Sequence, residues 1–407
     1  MSCIHRTAQR LTVGVLGALA AFCVLAQDPP IRIGVPTALQ LQVGRDTIDS
    51  MRMAVDEINA KGGVLGRKLE LVVADETENP EPGINAIKKL TADEAVDVLI
   101  GGYTSGVTLA QLPYIIRSKT VYLGVGAASP AITARVREDY DRYKYIFRVS
   151  PINAAHQARG LADFITGFVM GEMGYTKIAI IGENAKWVQD LVPILSNGAT
   201  AAGADVRLSE LFETQTSDFS LLLSKIKDSG AQFLVIILSH ASSDVFVEQW
   251  YDQRVPLPIG GIDVKSMDAD FFKRVGGKAI SEITGNLSVR APITPKTVPY
   301  WDAFVKMTGR GGPTYTGPGA YDAVHIYAQA VSRAKSAKAD AVIKALEETD
   351  YIGTLGRVQF DANHDVKAGR GLVNFAFVQW QNGGKQEIVW PSEIRTATPI
   401  LPPWLER

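Results

Sequence analysis

The chain has 407 residues, 46% of them hydrophobic, and its nearly equal numbers of basic and acidic side chains give a net charge of −1. This balance offers no broad positive surface, so we expect neither nucleic acid nor an anionic membrane as a partner. The length predicts two domains, at about 100–200 residues each.

Residues 1–26 have the pattern of a secretory signal peptide. Arg6 and Arg10 precede an apolar run over 11–25, with small or branched residues before Gln27. The run is shorter than the ~20 residues that span a bilayer, which favours a cleaved signal over a membrane anchor. We therefore predict export to the periplasm. Cys3 and Cys23 are the chain's two cysteines, so the mature protein is predicted to have no disulfide and no thiolate metal site.

Short apolar strands alternate with amphipathic helices through most of the chain. The first set predicts strands at 31–35, 69–74, 96–100 and 121–125, and helices at 47–60, 82–92 and 109–116. A second set starts after Pro151, with helices at 155–173, 187–202, 219–229 and 243–253, and strands at 177–181, 205–212, 233–238 and 257–260. This alternation predicts an α/β protein with two doubly wound lobes, each a parallel sheet covered by helices.

The last third of the chain departs from this rhythm. Helical periodicity is found over 299–307, 321–334 and 340–348, and alternating strands are predicted at 357–360 and 373–381. The proline-rich stretch 388–407 has no clear periodicity, so we expect an extended tail on the surface.

Two glycine-rich turns mark the expected ligand site, because open α/β sheets bind ligands beyond the carboxyl ends of their strands. The turn after the third strand offers Ser105 and Gly106 at the start of a helix, where free N–H groups suit a carboxylate. The same residues could simply cap that helix. The turn after the fourth strand contains Gly126, Ala127 and Ala128, and two adjacent turns of this kind are more specific than one.

The sequence has no catalytic signature. It lacks a Gly-x-Ser-x-Gly elbow, a phosphate-binding Gly-x-x-x-x-Gly-Lys-Ser/Thr loop and a His-Glu-x-x-His metal motif. We therefore predict a binding protein that is not an enzyme, with no cofactor and no metal. The competing hypothesis of an enzyme on a similar scaffold would require turnover of a bound solute.

Several segments resemble one family. The run Asp-Glu-Ile-Asn-Ala-Lys-Gly-Gly-Val-Leu-Gly at 56–66, together with 31–35, 100–102, 145–148 and 216–220, closely resembles the periplasmic leucine/isoleucine/valine-binding proteins. These are the substrate-binding proteins of branched-chain amino acid ABC transporters. The resemblance implies a type I periplasmic binding fold with three hinge crossovers. It places the first lobe at 30–149 plus 280–352, the second at 150–279 plus 353–390, and a tail at 391–407.

The resemblance also implies a set of ligand contacts. The family's carboxylate-binding serine maps onto Ser105, whereas its threonine maps onto Ala128. An aromatic residue in the first loop maps near Val43 and is missing. The family's second-lobe aromatic maps onto Trp187, and a further contact maps near Ser239 or His240. The acid that pairs with the ligand ammonium maps onto Ile262, or onto Asp263 if the register shifts by one residue.

The expected function is capture of a small organic solute between the lobes and its delivery to a membrane permease by a monomeric protein. The solute would be an amino acid or a related carboxylate, with an aromatic one suited to Trp187. An unpaired buried ammonium is costly, so an amine-free acid or an amide is expected if Ile262 occupies the acidic position. The alternatives are a periplasmic sensing module for a kinase or chemoreceptor, and a binder of an amide or urea.

Overall fold

A computed structural model describes residues 28–369, 372 and 375–405. The predicted signal peptide and both cysteines lie outside the described residues, as do positions 373–374 at the start of one predicted strand. Among the described helices, none combines the length and the apolar character needed to cross a membrane.

The first lobe contains a five-stranded sheet in the order β2-β1-β3-β4-β5, with every neighbouring pair parallel. Its strands are β1 (Ile31–Thr37), β2 (Leu69–Asp75), β3 (Val98–Gly101), β4 (Val121–Gly124) and β5 (Ile146–Arg148). The helices between them are α1 (Gln42–Ala60), α2 (Pro80–Lys88), α3 (Ser105–Ser118), α4 (Ala131–Glu138) and α5 (Tyr140–Tyr143). A π-helical turn, Lys89–Asp93, extends α2.

The second lobe contains a seven-stranded sheet in the order β14-β13-β10-β9-β8-β6-β7. Its strands are β6 (Lys177–Glu183), β7 (Asp205–Phe212), β8 (Phe233–Leu238), β9 (Ile259–Asp263), β10 (Ile283–Asn286), β13 (Ala376–Gln381) and β14 (Lys385–Trp390). The accompanying helices are α6 (Ala154–Phe164), α7 (Lys186–Ala201), α8 (Ser220–Asp228), α9 (Ser242–Asp252) and α10 (Phe271–Arg274), and a π-helical turn, Ile165–Met170, extends α6. Strands β6 to β10 are mutually parallel, whereas β13 runs antiparallel to both of its neighbours.

Burial explains which strands stand at the centre of this sheet. All six residues of β8 are buried, as expected for an apolar strand covered by helices on both faces. In the edge strand β7, partly buried and exposed residues alternate instead. The predicted α/β class with two doubly wound lobes is confirmed, with an antiparallel pair added to the second sheet.

The segment after β10 returns to the first lobe. It forms α11 (Thr297–Thr308), α12 (Thr316–Ala334), α13 (Ala339–Glu347) and the two-stranded ribbon β11 (Tyr351–Ile352) and β12 (Arg357–Val358). Side chains from α12, α13 and both ribbon strands share one core with β1 and β3; examples are Ile33, Val324, Leu346 and Val358.

The chain therefore crosses between lobes later than the expected boundaries at 280 and 353. Strand β10 pairs with β9 in the second lobe's sheet, so the second crossing follows residue 286. The third crossing follows Val366, because Val358 and Val366 both pack with the first lobe. The tail after 391 lies against the second lobe, where the Trp404 Nε1–H donates to the Val255 carbonyl at 2.8 Å.

Candidate functional site

A cavity with about 550 Å³ of free space lies between the two lobes, at the carboxyl ends of β3, β4, β6, β8 and β9. Both lobes and the crossing segments contribute to its wall. The lining residues are Tyr103, Thr104, Ser105, Gly126, Ala128, Ile152, Gln157, Trp187, Ser239, His240, Ile262, Val264, Met267, Leu287, Tyr315 and Phe375.

The turn from β3 to α3 presents a hydrogen-bond donor to the cavity. Gly101 and Gly102 have φ of 154° and 81°, which lets the chain turn sharply into the helix. The Ser105 Oγ accepts the N–H groups of Ala128 and Ser129, each at 3.0 Å. With both lone-pair directions occupied, its own O–H is left to donate. Thr104 at the N-cap makes no capping bond, so the first N–H groups of α3 are also left to a ligand.

The turn after β4 packs directly on the first turn. A Cβ at Gly126 would lie 2.3 Å from the Gly102 carbonyl oxygen, so the close approach requires glycine. The Tyr315 hydroxyl donates to the Gly126 carbonyl at 2.9 Å, which brings an aromatic ring from the α12 end of the first lobe to the cavity wall.

Trp187 and Ser239 form part of the second-lobe wall. The Trp187 side chain is buried, and its Nε1–H donates to the Ser239 Oγ at 3.2 Å. This bond satisfies the indole's polar edge and leaves the ring faces for apolar contact.

His240 lies on the cavity wall between two carboxylates. Its Nδ1 lies 2.8 Å from Glu183 Oε1, and its Nε2 lies 3.9 Å from Glu78 Oε1 of the first lobe. Burial alone would lower the pKa of His240, but the hydrogen bond and the charge of Glu183 outweigh it and raise that pKa. Burial would likewise raise the pKa of Glu183, yet His240 holds it below its usual range. The pair is therefore an ion pair in which His240 compensates the buried carboxylate.

Ile262, and not Asp263, faces the cavity. Successive residues of a strand point to opposite faces of the sheet, and the two lie at the end of β9. Asp263 is completely buried behind the wall, where its carboxylate accepts the Ser243 hydroxyl at 2.5 Å and the Lys265 N–H at 2.9 Å. The expectation that Asp263 contacts the ligand, which a one-residue shift in register would have allowed, is therefore corrected.

Two further candidates also lie off the cavity wall. Gly106 points to the exposed side of α3. Ala127 packs in a first-lobe core, and its carbonyl accepts the Arg148 Nε–H at 3.1 Å. Ser105, Gly126, Ala128, Trp187 and His240 do converge on the cavity.

Several lining residues had no signal in the sequence. Gln157, Leu287, Tyr315 and Phe375 come from the crossing segments or from elements next to them. They stand outside the strand-to-helix turns that the periodic pattern singles out. Their position near a crossing between the lobes is the one feature that they share.

The family model described as "Periplasmic binding protein" matches residues 30–385 of the chain. The chain is also 25% identical over 408 residues to Leu/Ile/Val-binding protein homolog 7 of Brucella melitensis, an alignment that spans 96% of this chain and 98% of the relative.

Solved structures show the same fold. A putative branched-chain amino acid ABC transporter protein from Silicibacter pomeroyi superimposes with a TM-score of 0.79 at 22% identity, covering 92% of this chain and all of the other. A solute-binding protein of an ABC transporter from Rhodopseudomonas palustris, in complex with 3,4-dihydroxybenzoic acid, gives 0.74 at 19% identity, covering 88% and 95%.

The predicted resemblance and the predicted role as a non-enzymatic binder are therefore confirmed. The two-lobed fold, the cavity between the lobes and the match over nearly the whole chain agree. The chain belongs to the periplasmic binding protein family.

Proposed function

We propose that this protein captures a small amine-free carboxylate with an aromatic or branched body and delivers it to the permease of an ABC importer. The observation that carries this proposal is the composition of the cavity wall. None of the sixteen described lining residues is Asp or Glu, Ser105 has an O–H left to donate, and His240, whose pKa is raised, is paired with Glu183.

An α-amino acid would bring an ammonium into this wall. An unpaired buried charge is very costly, and Ile262 supplies no compensation. Glu183 lies behind Ser239 and His240 and is already paired with the imidazole. A carboxylate, in contrast, would meet the Ser105 hydroxyl and the start of α3.

The body of the ligand would lie among apolar and aromatic side chains. Trp187, Tyr103, Tyr315 and Phe375 line the cavity. Flat rings of this kind suit an aryl or branched group. The structural relative from Rhodopseudomonas palustris, which binds 3,4-dihydroxybenzoic acid, supports an amine-free aromatic acid as a ligand class for this fold.

A thermal-shift screen with matched ligand pairs tests the proposal. Each pair is an amino acid and the 2-oxo acid of the same skeleton, for example phenylalanine with phenylpyruvate and leucine with 4-methyl-2-oxopentanoate. Ligands that bind the folded state raise the melting temperature by mass action. We expect the oxo acids to raise it and the amino acids to leave it unchanged. A larger shift with the amino acids would overturn the proposal.

The proposal includes export and action as a monomer. The basic, apolar and small-residue order of positions 1–26 supports cleavage after Ala26. Both walls of the cavity come from one chain, which supports a monomer. Mass spectrometry of the exported protein should give a monomer whose chain begins at Gln27.

A further inference from the structure

Gln157 in the first turn of α6 lines the cavity and is more than nine-tenths buried. Its Nε2 donates to the Ile152 carbonyl at 2.8 Å. Its Oε1 is buried and has no hydrogen-bond partner among the described residues. The amide nitrogen of Gln157 therefore has a hydrogen-bond partner, and its amide oxygen has none.

The bond to Ile152 fixes which amide atom is free. Turning the amide over would place Oε1 against the Ile152 carbonyl, where two acceptors would face each other. The free atom is therefore an acceptor that requires a donor. A buried acceptor without a donor costs as much as a lost hydrogen bond.

A ligand carboxylate cannot fill this requirement, because an ionised carboxylate only accepts hydrogen bonds. An ammonium could donate, but a neutral amide does not compensate its charge. A hydroxyl donates without carrying a charge into the cavity. Because Gln157 lines the cavity, a second polar group on a bound ligand, separate from the carboxylate that Ser105 receives, can supply this donor.

We infer that the natural ligand is a hydroxylated carboxylic acid whose hydroxyl donates to the Oε1 of Gln157. The inference rests on the proposed function and narrows its ligand class. Gln157 is on this account a specificity-determining residue, and the ligand group that it receives is distinct from the carboxylate.

Calorimetry on matched acids tests the inference. The series is benzoate, phenylacetate and 3-phenylpropanoate, each compared with its 2-, 3- and 4-hydroxy forms. For at least one ring position, wild type should bind the hydroxylated acid roughly 5- to 150-fold more tightly than the parent acid. In Gln157→Met that ratio should fall to within about twofold.

The affinity ratio isolates the hydrogen bond from any structural effect. Loss of the bond to Ile152 would weaken both members of a pair equally and leave the ratio unchanged. Gln111 offers a matched control: it is buried, its Nε2 donates to Glu76 and Gly83, its Oε1 also has no partner in the described chain, and it is absent from the cavity wall. Gln111→Met should keep the wild-type ratio.

The outcomes separate this inference from the proposed function. If no amine-free acid binds wild type, the proposed function fails and the inference fails with it. If the parent acids bind but no hydroxyl improves affinity, the inference alone is overturned. A hydroxyl preference that survives in Gln157→Met overturns it as well.

Discussion

At the scale of single residues, Ser105 is the most direct link between the sequence and the ligand. Its Oγ holds the two ligand-site turns together by accepting the N–H groups of Ala128 and Ser129, while its hydrogen remains to donate. The glycine-rich turn identified this residue from sequence alone. The mutual contact of the turns could not be foreseen, because it depends on an approach of Gly126 to the Gly102 carbonyl so close that a Cβ would lie 2.3 Å from that oxygen.

Ser105→Ala should weaken carboxylate binding by about 10- to 100-fold, since a hydrogen bond to a charged group contributes about 1.5–3 kcal/mol. Ser118→Ala is the control: this serine ends the same helix and bonds only to Ile115 and Thr120. Titration calorimetry of both variants gives the comparison. Unchanged affinity in Ser105→Ala would remove Ser105 from the site.

His240 should make carboxylate affinity depend on pH. Its pKa is raised, so the imidazolium and its attraction for an anion are fully present below about pH 6.5 and are lost as the pH rises through the folded-state pKa. Glu183, Glu78 and Lys265 are the charged groups that act on it. Dissociation constants from pH 6 to 9 should rise for wild type and stay flat for His240→Gln. If the dissociation constants of wild type and His240→Gln rise equally with pH, a group other than His240 controls the pH dependence.

At the scale of elements, hydrophobic periodicity predicted most helices and buried strands to within a few residues. It missed β5 and β10, strands of three and four residues, and also β14, whose last three residues were expected to belong to the extended tail. The family resemblance also left open whether the side chain of Ile262 or that of Asp263 faces the ligand. One residue of register reverses which side chain faces the cavity, and only the pairing of β9 with β8 and β10 decides it.

Asp263 at the end of β9 and Glu282 just before β10 are two interacting acids buried away from solvent. Burial raises the pKa of Asp263 to about 6, and burial together with the Asp263 charge raises that of Glu282 well above its usual range. An acid whose pKa is higher in the folded than in the unfolded state favours folding when it is protonated. This contribution is complete below the unfolded-state pKa near 4 and is lost as the pH rises through the folded-state pKa.

Glu282→Gln should therefore raise the free energy of unfolding at pH 8 by on the order of 2 kcal/mol and change it little at pH 4. Urea denaturation at the two pH values measures this difference. Glu138→Gln, on an exposed position of α4, serves as the control. A variant that is less stable than wild type at pH 8 would mean that the Glu282 charge stabilises the fold.

At the scale of the whole molecule, the lobes are joined across the cleft by hydrogen bonds that exist only when they are close. The Ser129 hydroxyl of the first lobe donates to Asp190 Oδ2 of α7 at 2.5 Å, and the Tyr103 hydroxyl donates to the Ser239 carbonyl at 3.4 Å. A ligand that contacts both walls would favour the same closed state. The resemblance to a two-lobed family predicted closure, but not these partners.

Asp190→Ala should shift the ligand-free protein toward an open state. It removes the bond to Ser129, whereas Lys186→Ala removes only the ion pair of Asp190 with Lys186 within α7. Small-angle X-ray scattering should give a larger radius of gyration for ligand-free Asp190→Ala, restored by saturating ligand, and no change for Lys186→Ala. Equal radii in both variants would show that this bond does not hold the lobes together.

The central claim is that a cavity with Ile262 in place of an acid takes carboxylates that lack an amine. Calorimetric titration of wild type and Ile262→Glu with phenylpyruvate and phenylalanine tests it most directly. Wild type should bind phenylpyruvate and give no measurable heat with phenylalanine, and the added carboxylate should reverse that preference. Tight binding of phenylalanine by wild type would contradict the account.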